Sequence, residues 1–417
     1  MLSPRTAKTY IDLAKDKIKT GNLDDALKNY QKSLEIQQQT YGQDSPLIAN
    51  TYTNIANIFH QQKRYQEAHE ALEKALKIRI KCLGDSHPSV ATTYNQIATL
   101  YQEQGNLEEA IKYFQMSLAL NTAQINENHP AIRKSVEGLG TIKMKQGEYQ
   151  EAEKFFRRSV TISPTLLVQS DKENIAALKN LAMIFESQSK FSEAIEQYEK
   201  IIDIYSQENT KEPEYLEALL KIGDLYKMKG QLDQAFSYFS RAAESYKLAY
   251  GASCQDLVPI YENIIDYYSY KGNIEESLNY LKKNLEIIME REDKDPVILK
   301  KYYKRIGTHA EKLNKFDLAL YAYSSFLELA EAPAAEENFD EKISLYLSLL
   351  GIYEKKEKYF EAVQYCQKLL GLLIEQPKLD ELKARASILY EKLGDQQIKQ
   401  KDYKEATKSY RESLNMF

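Results

Sequence analysis

The 417-residue chain carries 56 basic and 61 acidic side chains, 43% hydrophobic residues, 32 Tyr and no Trp, but only 15 Gly and 10 Pro. Turns and bulges consume Gly and Pro, so their scarcity excludes disordered, collagen-like and loop-rich all-β chains and leaves a helical protein of several domains or one elongated repeat array. The formal net charge of −5 is spread over interspersed Lys and Glu, which argues against nucleic-acid partners and anionic membranes.

The opening residues Met1 to Thr6 hold no apolar stretch of signal-peptide length, and no segment approaches the ~18 continuous apolar residues that span a bilayer. A soluble cytoplasmic protein without membrane insertion is expected. Cys82, Cys254 and Cys366 are odd in number and far apart, which suits reduced thiols and offers neither a disulfide framework nor a zinc pattern.

In chain order, one hexapeptide recurs: polar or Gly, polar, bulky apolar, two more residues, then a small one. It closes at Ala26, Ala68, Ala110, Ala152, Ala194, Ala235, Ser277, Ala319, Ala362 and Ala406, at intervals of 41 to 44 residues. Twelve residues before each closing position lies a second small residue (Ala14, Ala56, Ala98, Gly140, Ala182, Gly223, Gly307, Gly394), except at Ile265 and Leu350. Sixteen before it an aromatic is usual, as at Tyr52, Tyr94, Tyr261 and Tyr303, and four after it another, as at Tyr30, Phe114, Phe156, Phe239 and Tyr323. Apolar spacing of three to four residues makes each flank an amphipathic helix, with the hexapeptide as the turn between them. Pro46, Pro88 and Pro130, preceded by Ser45, His87 and His129, mark the starts of first helices, as do Pro4, Pro213 and Pro296. The expected units run roughly over 3–42, 43–84, 85–126, 127–168, 169–210, 211–251, 252–293, 294–336, 337–379 and 380–417, a single array from 1 to 417.

This placement of small and aromatic residues on paired helices resembles the tetratricopeptide repeat (TPR). The 42-residue period, seen in HPSVATTYNQIATLYQEQGNLEEAIKYFQMSL from His87 to Leu118, is most similar to the repeats of kinesin light chains. Tyr stands where the pattern often has Trp, and no heptad segment of the kinesin-light-chain kind precedes the repeats. The resemblance implies an all-α, right-handed superhelical solenoid of about ten antiparallel helix-turn-helix units, with first helices lining a concave groove that takes extended or helical peptides. The side chains it places in that groove are Asn50, Thr53, Asn57 and His60, then Thr92, Asn95, Thr99 and Gln102, then Lys134, Glu137, Thr141 and Met144. Amides and hydroxyls there suit a peptide backbone, and a solvated helix face is the plainer reading. Ile11 and Lys15 stand where a clamp for a C-terminal carboxylate needs Lys and Asn, which argues against a chaperone tail.

Lys300, Lys301, Lys304 and Arg305 form a basic cluster open to an acidic surface or to solvent, while Glu331, Glu336, Glu337, Asp340 and Glu341 make the longest link acidic. At the end of the sequence, Tyr410, Leu414, Met416 and Phe417 present an apolar face where a solenoid needs a polar cap, which predicts a docked subunit, self-association or a longer chain. No P-loop, GxGxxG, HExxH, CxxC or GxSxG occurs. His87 and His129 read as turn residues, His69 lies on a second helix, and His60 and His309 are isolated. Tyr267, Tyr268 and Tyr270 read as helix packing, because their neighbours Glu262 and Asp266 are acidic. No catalysis, metal or cofactor is expected. The readings are a non-catalytic scaffold in a multiprotein, cytoskeletal or ciliary, assembly; a peptide-binding adaptor; and a regulatory subunit of an enzyme complex.

Overall fold

A computed structural model describes residues 3–124, 129–162, 172, 174–205, 211–330, 339–372 and 376–416. Their twenty α-helices alternate as first and second members of antiparallel pairs, and no strand occurs among them. Two compact units divide the chain, Met1–Asn209 and Thr210–Phe417. The first holds α1 (Pro4–Lys19), α2 (Leu23–Tyr41), α3 (Pro46–Gln61), α4 (Tyr65–Leu83), α5 (Pro88–Glu103), α6 (Leu107–Gln124), α7 (Arg133–Lys145), α8 (Tyr149–Thr161), α9 (Ile175–Ser187) and α10 (Phe191–Tyr205). The second holds α11 (Pro213–Met228), α12 (Leu232–Tyr250), α13 (Leu257–Tyr270), α14 (Ile274–Met289), α15 (Pro296–Lys312), α16 (Phe316–Ala330), α17 (Phe339–Lys355), α18 (Tyr359–Leu372), α19 (Gln376–Lys399) and α20 (Tyr403–Asn415). The acidic link residues Glu331, Glu336 and Glu337, and Phe417, lie outside the described residues.

First helices start where the prolines predicted. The side chains of Ser3, Ser45 and Asp295 accept from backbone N–H groups of the first turn, and His87 and His129 do the same through Nδ1, so these two histidines are caps. After His129 the chain makes a 3-10 turn, Pro130–Ile132, before α7 begins. Each first helix ends in the same way. In the second pair the Lys63 N–H donates to the His60 carbonyl at 2.9 Å and the Arg64 N–H to the Phe59 carbonyl at 2.8 Å, which closes the helix with a left-handed residue. That residue opens the hexapeptide in all ten pairs: Gly21, Gly105, Gly147, Gly230 and Gly272, but Lys63, Ser189, Asn314, Glu357 and Lys401 in the others, every one at positive φ.

Packing inside a pair explains the small and aromatic residues. A Cβ added to Gly223 would lie 2.7 Å from the Phe239 ring, one on Gly394 2.8 Å from Tyr410, and one on Gly140 3.0 Å from Phe156. Tyr323 covers Gly307 in the same way. The small residue on the first helix is therefore a seat for the aromatic four positions past the turn. A second aromatic register emerges that the spacing rules did not isolate. Tyr nine before and three after the closing residue stack at centroid distances of 5.7 Å (Tyr101 on Tyr113), 5.6 Å (Tyr226 on Tyr238), 5.9 Å (Tyr268 on Tyr280) and 5.6 Å (Tyr353 on Tyr365). Tyr267 likewise stacks on Phe236 at 4.2 Å, whereas Tyr270 of the same cluster is exposed.

Neighbouring pairs share one core: Ala14, Tyr30, Ile55, Leu72, Val90 and Leu100 belong to one buried cluster in the first unit, and Ile265, Leu281, Tyr302, Phe326, Leu350 and Leu389 to one in the second. Neither helix of a pair encloses its apolar face alone, so each pair needs the next.

Candidate protein-binding surface

The first helices α3, α5 and α7 carry the residues that the sequence placed in a peptide groove, and the structure sorts them. Asn50, Asn57, Thr92 and Lys134 are exposed; Thr53, His60, Thr99, Gln102, Glu137, Thr141 and Met144 are half-buried; Asn95 is 5% exposed. Asn95 is thus a packing residue, its Oδ1 accepting from Ser135 Oγ at 2.7 Å across to α7. The hydroxyls of Thr53, Thr92, Thr99 and Thr141 each donate to the carbonyl four residues back, at 2.8 to 3.2 Å, and so point along their helices. His60 is not isolated: its Nε2 lies 2.6 Å from Glu103 Oε2 on α5. Asn57 Oδ1 accepts from Gln96 Nε2 at 3.5 Å. Asn57, His60, Gln96, Thr99 and Lys134, over a floor of Ala56, Leu72 and Leu100, line a recess of about 80 Å³. That is room for two or three waters or one small polar side-chain group.

Behind this face runs a buried polar layer that sequence reasoning missed. Thr51 Oγ1 donates to Gln37 Oε1 at 2.8 Å, and Arg79 donates to the Ser89 carbonyl at 3.2 Å, to Thr93 Oγ1 and to Asn50 Oδ1 at 2.9 Å. Burial pushes the Arg79 guanidinium below its ordinary value. The signal was present as a polar residue eleven past the closing alanine, at Gln37, Arg79 and Asn121.

In the second unit the first-helix face is laced by ion pairs. Arg305 Nη1 reaches both oxygens of Glu262, at 2.9 and 2.7 Å, and Tyr302 donates to the same carboxylate. Burial alone would raise the Glu262 carboxyl, but the hydrogen bonds from Tyr302 and Arg305 outweigh it and hold the group below its ordinary range. Lys304 pairs with Glu341 at 2.5 Å, Arg385 with Glu354 at 2.6 Å and Lys227 with Asp266 at 3.7 Å. The basic cluster therefore divides: Lys304 and Arg305 join adjacent pairs, and Lys301 is its exposed member beside half-buried Lys300. A further ladder ties the turns together. The acid two before the closing residue meets the next pair's turn: Asp233 with Lys271 at 2.9 Å, Glu275 with Lys315 at 2.8 Å, and Asp317 with Lys356. These lysines hold the three carboxyls below their ordinary values.

His309 is not isolated either. Its Nδ1 lies 2.8 Å from the Arg305 carbonyl and its Nε2 3.1 Å from Ser277 Oγ, and burial lowers its pKa. Near the end of the sequence, Tyr410 lies on Gly394 and donates to Asp395 at 2.6 Å, Met416 is half-buried against the core, and Leu414 is 77% exposed. The apolar face expected there contracts to Leu414 among the described residues. Cys366 is buried and its thiol is pushed up to about 11 by that burial, which removes it as a nucleophile near neutral pH. Among the described residues no helix is long and apolar enough to cross a membrane.

The family model described as Tetratricopeptide repeat matches residues 5–81, 89–165 and 173–248. Among solved structures, the nearly identical TPR-like repeats of a kinesin-light-chain-type protein from Podosopora anserina are 24% identical, covering 48% of this chain and 96% of that one, with a TM-score of 0.42. BtubC (BKLC) from P. vanneervenii is 15% identical over 60% of this chain and 92% of its own, with a TM-score of 0.39. The C-terminal part of a TPR repeat-containing protein from Cytophaga hutchinsonii is 14% identical over 68% of this chain and 96% of its own, with a TM-score of 0.49. No curated protein matches the chain in sequence.

Proposed function

The chain belongs to the tetratricopeptide repeat family, and we propose that it is a non-catalytic protein–protein interaction scaffold whose first compact unit holds an extended segment of a partner against α3, α5 and α7. One contrast carries this reading. Asn57 and Lys134 stand exposed at a polar recess, with exposed Thr92 on the first helix between them, whereas on the corresponding face of the second unit Lys227, Lys304, Arg305 and Arg385 are paired with acids of its own helices. Exposed amide and hydroxyl groups with short side chains order at little entropic cost and can pair with a peptide backbone. The ten pairs acting as one array from residue 1 to 417 is part of the same proposal, as is a cytoplasmic place in a cytoskeletal or ciliary assembly, which rests on the resemblance to kinesin light chain repeats. The regulatory-subunit alternative has no specific contact in its favour.

Selection of random dodecapeptides on the full chain tests this reading. Peptides with micromolar affinity are expected, and Asn57→Ala combined with Lys134→Ala is expected to weaken them at least tenfold without changing helicity. Peptides that ignore both substitutions would place the contact elsewhere.

A further inference from the structure

Arg79 breaks the rule that a buried charge has a counter-ion. It is 6% exposed, and its hydrogen bonds run to neutral acceptors: the Ser89 carbonyl, Thr93 Oγ1 and Asn50 Oδ1. Burying a cation on such terms is costly. Joining one pair to the next does not require it. The equivalent positions 42 residues to either side are neutral: Gln37 accepts from Thr51 at 2.8 Å, and Asn121 donates to the Ala131 carbonyl at 3.5 Å. What the guanidinium adds is reach back to Asn50, on α3 of its own pair, at 2.9 Å. Arg has donors only, so the atom of Asn50 that faces it must be the oxygen. The amide is thereby fixed with Oδ1 on Arg79, which leaves Nδ2 as the remaining donor of this exposed residue. Aspartate at position 50 would supply the missing counter-ion with a change of one atom. Asparagine forgoes that ion pair and keeps a donor at the surface.

We propose that Asn50 contacts the bound partner as a hydrogen-bond donor to an acceptor such as a main-chain carbonyl, and that Arg79 is the positioning residue that sets the direction of its amide. This inference rests on the peptide-holding reading of α3, α5 and α7. Its test uses the full chain and library-selected dodecapeptides whose binding is lost on Asn57→Ala. Asn50→Asp is expected to raise the thermal midpoint by a few degrees, because Arg79 gains a counter-ion, and yet to weaken those peptides roughly tenfold. Asn50→Ala and Arg79→Met should weaken them by a similar factor, and the double variant Asn50→Ala, Arg79→Met should be no weaker than either single one, because the two act through one amide. A merely structural role predicts that Asn50→Asp stabilises the fold and leaves binding intact, which would overturn the inference. Losses that multiply in the double variant would overturn the positioning role. If Arg79→Met does not fold, the two Asn50 variants still decide the donor role. Peptides that need Asn57 but ignore Asn50 overturn the inference alone; a library yielding no such peptide overturns it together with the reading beneath it.

Discussion

At the scale of single residues, position in the repeat decides chemistry more than residue type does. His87 and His129 cap helices, His60 meets a carboxylate, and His309 is half-buried between two adjacent pairs. Burial lowers the His309 pKa, and the nearby Arg305 and Lys312 lower it further, while the Arg305 carbonyl works against them. The folded chain therefore binds this proton less readily than the unfolded chain, so the stability that neutral His309 contributes is present above the unfolded value of 6.5 and is lost as pH falls below it. The urea midpoint is expected to drop between pH 7.5 and pH 5.5, and His309→Gln should lessen that drop. An unchanged drop in the variant would assign it to other groups. The sequence placed His87 and His129 at turns ahead of the first helices, and their capping of the following backbone N–H groups became visible only in the structure. Single-residue reading failed where the partner is about forty residues away, as with Asn95 and Ser135.

The helix pair is the scale at which the fold was most legible. Glycine or alanine on one helix and an aromatic sixteen residues later is a contact written directly in the spacing, and Gly223 under Phe239 shows why a larger residue is excluded. The stacked tyrosines nine before and three after the closing residue were less legible, because tyrosine is so common in this chain that the register does not stand out. Every pair also needs a left-handed residue at its turn, and five of the ten supply one that carries a Cβ. Such a residue costs about 1–2 kcal/mol relative to glycine, partly offset by the entropy glycine loses on folding. Lys63→Gly and Glu357→Gly are therefore expected to stabilise the chain by about 0.5–1 kcal/mol each, while Gly147→Ala should destabilise it by a similar or larger amount, all read from urea midpoints. Stabilisation by Gly147→Ala would contradict the turn geometry.

At the scale of the molecule, the two compact units use the same repeat differently. In the second, Arg305 with Glu262, Lys304 with Glu341 and Arg385 with Glu354 connect first helices to one another. In the first, a buried layer of Gln37, Arg79 and Asn95 joins pairs from behind, His60 with Glu103 and Asn57 with Gln96 link α3 to α5 on the face itself, and Asn50 and Asn57 remain exposed. Periodicity alone concealed this division, because Lys and Glu recur along the whole sequence and which of them meet depends on how successive pairs stack. Crosslinking mass spectrometry of the native protein with its bound partners tests the division most directly. Partner crosslinks should concentrate on the first unit, at Lys134, Lys143 and Lys145 of α7, and should fall when Asn57 is replaced by alanine. Crosslinks confined to the second unit, or no partner at all, would contradict a scaffold that holds its partner on α3, α5 and α7.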